Sequence, residues 1–187
     1  MPGIQVIGNV ASDSPKKGVG RLLAAYAAAR RSLPPSTLVV VGVNNLEQWR
    51  SVCAGLGIEE HVRLVPRIEN VADYLQTFAL LVFTSYFIES QPNVIMEAMS
   101  LGVPVIASNI GEISSMLLPD CLFRPGDADE AARLLVSVAN DPERLSLLSA
   151  LNLAWKPLFS MERRLETVLG HYRAALREAG LPERKVR

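Results

Sequence analysis

The 187-residue chain is 49% hydrophobic and 20% charged, which excludes a disordered polypeptide and leaves room for one domain with a sizeable core. Nineteen basic residues balance nineteen acidic ones, so no global field favours nucleic acid, and any anion must be held locally. Cys53 and Cys121 have no CxxC partner and sit in apolar surroundings, the pattern of buried thiols in a reducing compartment. With no apolar stretch long enough to span a bilayer and no signal-peptide order at the N-terminus, a cytoplasmic protein is expected.

In chain order, the run IQVIGNV from Ile4 reads as a strand ending at Gly8, followed by the turn-rich loop NVASDSPKKG. GVGRLLAAYAAARRSL from Gly18 reads as a helix with arginines in its last turns, stopped by Pro34-Pro35. TLVVVGV from Thr37 is a continuous apolar run of the kind buried on both faces of a parallel sheet. The alternation repeats with a helix from Leu46 to Leu56, the strand VRLV from Val62, a short helix from Val71 to Phe78 and the strand LLVFTS from Leu80. A helix from Asn93 to Leu101 and the strand VPVIAS from Val103 follow, with Gly102 as the helix stop between them. Beyond these the chain is helical, over Asp127 to Asn140, Pro142 to about Trp155 and Ser160 to Ala179, with a frayed tail LPERKVR. Strand and helix alternating at this pitch predict a single α/β domain: a doubly wound, Rossmann-like parallel sheet with helices on both faces and C-terminal helices.

Ligands of such sheets bind beyond the carboxyl ends of the strands, which directs attention to the loops. Lys16 and Lys17, two of only four lysines, stand adjacent in the first of these loops. There they serve either as a solvated pair or as a counter-charge for a phosphate. No GxxxxGK[ST] or GxGxxG pattern is present. In ESQPNVIMEAMSLGVPVIAS, Pro92 suits the first turn of a helix, with Ser90 or Gln91 near its cap. The free N–H groups from Ser90 through Asn93 to Val94 then make an anion site. Glu89 precedes this site and Glu97 lies on the helix. Read from the residues alone, Glu97 is either the polar face of an amphipathic helix or an acceptor for a vicinal diol, and the two carboxylates could also form a glycosidase-like pair. His61 and His171 have no partner at ligand spacing, so no metal site is expected, and no GxSxG elbow is present.

The same stretch, with Glu89 and Glu97 eight positions apart, resembles the E-x7-E signature of retaining glycosyltransferases of the GT-B fold, which use nucleotide-sugar donors. IGNVASDSPKKGV is similar to that family's phosphate-lysine loop, GIEEHVRLVPRIENVADYLQTFALLVFTS to the region holding the base, and LFRPGDADEAARLL to the segment before the last helices. The resemblance implies that the whole chain is the C-terminal, donor-binding half, without the N-terminal acceptor-binding half. It implies that Lys17, or Lys16, neutralises the donor diphosphate together with the backbone of Ser90, Gln91, Pro92 and Asn93, and that the loop after Gly8 belongs to the same donor site. It further implies that Glu89 meets hydroxyls of the transferred hexosyl group, Glu97 the ribose diol, and the backbone near Arg67 the base. No cofactor beyond the nucleotide-sugar co-substrate and no metal is implied. Four features depart from the family pattern: Asn9 where an Arg is usual, Glu112 in place of the second Gly of a pair, Ser115 in place of a Glu, and Ser85 one residue further from Glu89 than is common. A non-catalytic nucleotide-binding or assembly module with a decayed site is the competing reading. A pyridoxal enzyme on the same fold would need a Lys deep in the C-terminal half, where only Lys156 and Lys185 occur. The basic residues Arg163, Arg164, Arg173 and Arg177 suit a solvated helix face, a surface that docks the missing half, or peripheral contact at the inner face of a membrane.

Overall fold

The apolar runs assemble into a six-stranded, all-parallel sheet of order β3-β2-β1-β4-β5-β6. The strands are β1 (Gln5–Val10), β2 (Ser36–Val41), β3 (Val62–Val65), β4 (Leu80–Phe83), β5 (Val105–Ser108) and β6 (Leu122–Phe123). The helices are α1 (Val19–Ala29), α2 (Leu46–Gly55), α3 (Ala72–Leu75), α4 (Asn93–Ser100), α5 (Ile113–Met116), α6 (Ala128–Ala139), α7 (Pro142–Trp155) and α8 (Met161–Glu178). This is a computed structural model, and it describes residues 5–87, 92–159 and 161–181.

Period-two alternation divides the core. On β4, Leu80 and Val82 join a cluster with Ile7, Leu38, Val40 and Ile106, covered by Leu22, Leu23 and Tyr26 of α1 and by Leu135 and Val138 of α6. Their neighbours Leu81 and Phe83 face the other way, into a cluster with Val41, Val105 and Ala107 under Leu75 of α3 and Ile95, Ala98 and Met99 of α4. Sheet faces that are apolar on both sides must be covered on both sides, so the doubly wound layering follows from the strand sequences themselves. The side chains of Ile95, Ala98 and Met99 recur at helical spacing, and burying Ile95 and Met99 contributes about 1.5–3 kcal/mol each. Both cysteines are buried free thiols, and burial is the main cause that pushes both pKa values up.

Three sequence expectations change. The first strand does not end at Gly8: Gly8, Asn9 and Val10 stay in register with Val39, Val40 and Val41 of β2, so the loop starts at Ala11. Gly8 is buried inside β1 because the ring of Phe78 lies where a side chain would be, 1.9 Å from an added Cβ. Second, Pro92 is not the first helical residue. It is the N-cap, with φ −71° and ψ 111°, and its carbonyl accepts from Ile95 N at 3.0 Å. Glu89, Ser90 and Gln91 lie outside the described residues. Third, β6 and α5, with 2 and 4 residues, are too short to show a period and went unread.

The packing at Gly8 sets a test. Gly8→Ala is expected to destabilise the fold by about 1–3 kcal/mol through overpacking against Phe78, read as a lower urea midpoint at unchanged slope. An unchanged midpoint would mean that Phe78 does not lie against β1.

Candidate functional site

In this strand order the connection from β1 runs to β2 on one side, while β4 continues to β5 on the other. Strands whose successors leave in opposite directions open a crevice between their carboxyl ends. The β1–β4 ladder pairs Ile7 with Leu80 and Gly8 with Leu81. Beyond it, the buried side chain of Asn9 takes over, donating from Nδ2 to the Val82 carbonyl at 2.8 Å. Asn9 Oδ1 is buried without a partner in the described residues. Where the resemblance led one to look for an arginine, a neutral amide braces the two strands.

The two loops that leave this crevice are joined to each other. After β1, Ser14 leads into a 3-10 turn over Pro15–Lys17, closed by hydrogen bonds from Lys17 N to Ser14 O (2.9 Å) and Gly18 N to Pro15 O (3.1 Å). The Thr84 hydroxyl donates to the Lys17 carbonyl at 3.1 Å, and Tyr86 N donates to the Lys16 carbonyl at 3.1 Å. This approach is so close that a Cβ on Gly18 would stand 2.2 Å from the Thr84 carbonyl oxygen, and Gly18 has φ 72° besides. Only glycine satisfies both conditions. The Lys16 ammonium lies 4.2 Å from the centre of the exposed Phe87 ring, and the Arg21 guanidinium 4.0 Å from that of Tyr86. Lys17 is half-buried at the loop's end. The Ser108 hydroxyl donates to the Ser85 carbonyl, which ties the end of β5 to the same place.

Two helices begin at the crevice with no side chain on their caps. Gly18 precedes α1 and Pro92 precedes α4. Pro92 is buried, and the first N–H groups of α4, those of Asn93 and Val94, lie before any intrahelical acceptor. Lys16, Lys17, Pro92 and Asn93 therefore all come to the carboxyl end of the sheet, whereas Gly8 is within the strand. Glu97, one turn into α4, is exposed on a helix whose buried face is Ile95, Ala98 and Met99. Gly111 and Glu112, in the loop after β5, are exposed, and the Glu112 carbonyl accepts from the Ser115 hydroxyl at 2.7 Å. Among the described residues no group of three or more His, Cys, Asp or Glu could hold a metal ion.

Asp13, which sequence reading passed over as one turn former among several, organises the rim. Its carboxylate accepts from Asn44 N (2.8 Å), Asn45 N (3.4 Å) and the Trp49 indole (2.7 Å). Asn44 in turn accepts from Arg67 N at 3.3 Å. One carboxylate thus fixes the loops after β1 and β2, and through Asn44 the loop after β3, where the Arg67 N–H is already engaged. Burial raises the Asp13 pKa, but the three donors outweigh it and hold the carboxyl below its ordinary value of 3.8. A depressed folded pKa means that the stabilisation is complete above the unfolded value and is lost as pH falls through the folded one. Asp13→Ala is therefore expected to cost about 1–2 kcal/mol at pH 7 in urea unfolding. The gap to the parent should close as pH drops below 3.8. A gap that stays constant down to the acid limit would contradict this role.

Comparison with known proteins agrees with this architecture. Residues 2–141 match the family model described as glycosyl transferases group 1. The D-inositol 3-phosphate glycosyltransferase of Segniliparus rotundus is 32% identical over an alignment that covers 100% of this chain and 44% of the relative. Among solved structures, Anabaena HepE in complex with UDP-glucose superposes with a TM-score of 0.82 at 21% identity, covering 93% of this chain and 50% of that one. Sucrose-phosphate synthase from Thermosynechococcus elongatus gives a TM-score of 0.81 at 24% identity, covering 96% and 47%. The chain thus spans about half the length of the relatives it matches. Its Rossmann-like sheet is that of the GT-B glycosyltransferases, and by the family model that covers most of its length the chain belongs to the group 1 glycosyl transferases.

Proposed function

We propose that this chain is the donor-binding half of a retaining, metal-independent glycosyltransferase that moves a hexosyl group from a nucleotide-sugar to an acceptor. The observation that carries the reading is the strap between the Lys16–Lys17 loop and the loop after β4, at the strand-order switch. It brings two lysines to the same end of the sheet as the uncapped start of α4. A diphosphate is the ligand that suits both, since ammonium groups neutralise it and free N–H groups at a helix start bind it.

In this reading Lys17, aided by Lys16, and the N–H groups of Asn93 and Val94 hold the diphosphate. Glu97 accepts hydrogen bonds from the ribose diol, the backbone near Arg67 lies against the base, and Glu89 meets hydroxyls of the transferred sugar. The donor loses a nucleoside diphosphate from its anomeric carbon through an oxocarbenium-like state, and the prearranged positive groups stabilise the charge growing on the departing phosphate. No side chain needs to hold a metal for this. HepE, which shares the fold, was solved with UDP-glucose, and that supports a sugar nucleotide as the ligand class.

The acceptor is assigned to the half of the enzyme beyond this chain. Helix α8 supports that division. Leu165, Val168, Leu169 and Tyr172 recur at helical spacing and are 52%, 49%, 40% and 67% exposed. An apolar stripe this exposed among the described residues suits a docked protein surface, and glutamates are interspersed with the arginines along the helix, which suits a membrane less well. No helix among the described residues is long and apolar enough to cross a membrane.

Asn9, Glu112 and Ser115 favour a second reading, a nucleotide-binding or assembly module without turnover, because each departs from the pattern that the E-x7-E resemblance implies. Calorimetric titration with UDP, GDP and ADP tests what both readings share and what divides them. We expect one of the three to bind, Lys17→Ala to weaken it at least about tenfold while sparing the matching nucleoside, and Glu97→Ala to erase its preference over the 2′-deoxy form. Binding by none of them, or affinities indifferent to both substitutions, would sink the donor-site assignment. Hydrolysis or transfer of the matching sugar nucleotide by the full-length enzyme, set against its absence, separates transferase from module.

A further inference from the structure

We infer that Arg21 is a positioning residue for the phosphate loop, acting through Tyr86; this rests on the donor-site reading above. Arg21 is the third residue of α1 and does two things with one planar group. Its guanidinium carbon lies over the Tyr86 ring, 4.0 Å from the ring centre. Its edge donates from Nε to the Gly126 carbonyl at 3.2 Å. A guanidinium can stack and donate in its own plane at the same time, which an ammonium cannot.

The two ends of this link are held by different contacts. Gly126 belongs to the turn between β6 and α6, where the Arg124 guanidinium is paired with Asp127 at 2.6 Å and with Glu130 at 2.7 Å. Asp127 also caps α6 by accepting from Glu130 N at 2.8 Å. That turn is the anchor. Tyr86, by contrast, sits in the loop after β4 and gives its backbone N–H to the Lys16 carbonyl. The order of contacts is therefore Gly126, Arg21, Tyr86, Lys16, and it leads from a braced turn to the lysine loop. Thr84, two residues earlier, holds the Lys17 carbonyl from the same side. Losing Arg21 removes neither donor to the lysine carbonyls, the Thr84 hydroxyl and the Tyr86 N–H, but frees the ring that sets the direction of the Tyr86 end.

The consequence is specific to the phosphate part of the ligand. The base and ribose would meet the loop after β3 and Glu97, and neither touches this link. The experiment measures affinities for the tightest-binding of UDP, GDP and ADP, and for its nucleoside, in the parent chain, Arg21→Leu, Arg21→Lys, Tyr86→Leu and the Arg21→Leu/Tyr86→Leu double variant. Arg21→Leu should weaken the nucleoside diphosphate about five- to tenfold and leave the nucleoside within about twofold. Arg21→Lys, which keeps the cation over the ring, should recover part of the loss. The double variant should be no weaker than the worse single one, because the two residues act as one unit. Equal losses for diphosphate and nucleoside would reduce Arg21 to a general structural role, and multiplied losses in the double variant would mean that it acts without Tyr86. Either result overturns the inference. If the parent binds a nucleoside diphosphate and Arg21→Leu binds it equally well, the inference falls alone; if the parent binds none, the donor-site reading falls and takes the inference with it.

Discussion

The rest of the site depends on one close approach: the backbone at Gly18 against the carbonyl of Thr84. Two strands that are neighbours in the sheet, but whose connections leave in opposite directions, would ordinarily release their loops apart. Here a glycine with φ 72° lets the first loop fold onto the second, with 2.2 Å between an imagined Cβ and the Thr84 oxygen. The hydrogen bonds from Thr84 to Lys17 and from Tyr86 to Lys16 then fix both lysine carbonyls. Ordering a loop backbone costs entropy, so a backbone held in advance removes that part of the cost for any ligand that the loop would bind.

The loops on either side are stabilised by different chemistry. Towards β2 and β3, the carboxylate of Asp13 gathers the N–H groups of Asn44 and Asn45 and the indole of Trp49. Towards β6, Arg21 reaches the Gly126 carbonyl. A carboxylate therefore braces the loops on the β2 and β3 side, and a guanidinium braces the start of α1 on the β6 side. Beneath both, Asn9 bridges β1 and β4 with its amide at 2.8 Å. This neutral bridge continues the contact between the two strands beyond the last paired residues of their ladder.

The architecture was legible because its strands are buried on both faces. Runs such as LVVV and LLVF admit few other structures when helices of amphipathic pattern separate them. Asn45, Asp127 and Asp141 cap their helices with side chains of the capping type, a local signal that the reading of helix bounds did not use. What escaped notice was set by contacts distant in sequence. Gly8 looked like a strand end, yet it is a gap for the Phe78 ring. Pro92 looked like a first-turn residue, but its ψ of 111° keeps it outside the helix. Asp13 and Arg21 carried no signal, since their partners lie 36 and 105 positions away. That the lysine pair lies in a loop and Glu97 on a helix was legible because loop position and helix position are local properties. How the loops are strapped together is not local, and only the fold displays it.

The central claim is that the crevice between β1 and β4 receives a diphosphate. Backbone amide resonances of the isotopically labelled chain, followed during titration with the tightest-binding of UDP, GDP and ADP, test it most directly. The account predicts that the largest shifts fall on Lys16, Lys17, Gly18, Asn93 and Val94, and that inorganic pyrophosphate moves the same amides while the nucleoside does not. Shifts concentrated elsewhere, or a nucleoside that moves these five amides as strongly as the nucleoside diphosphate does, would contradict it.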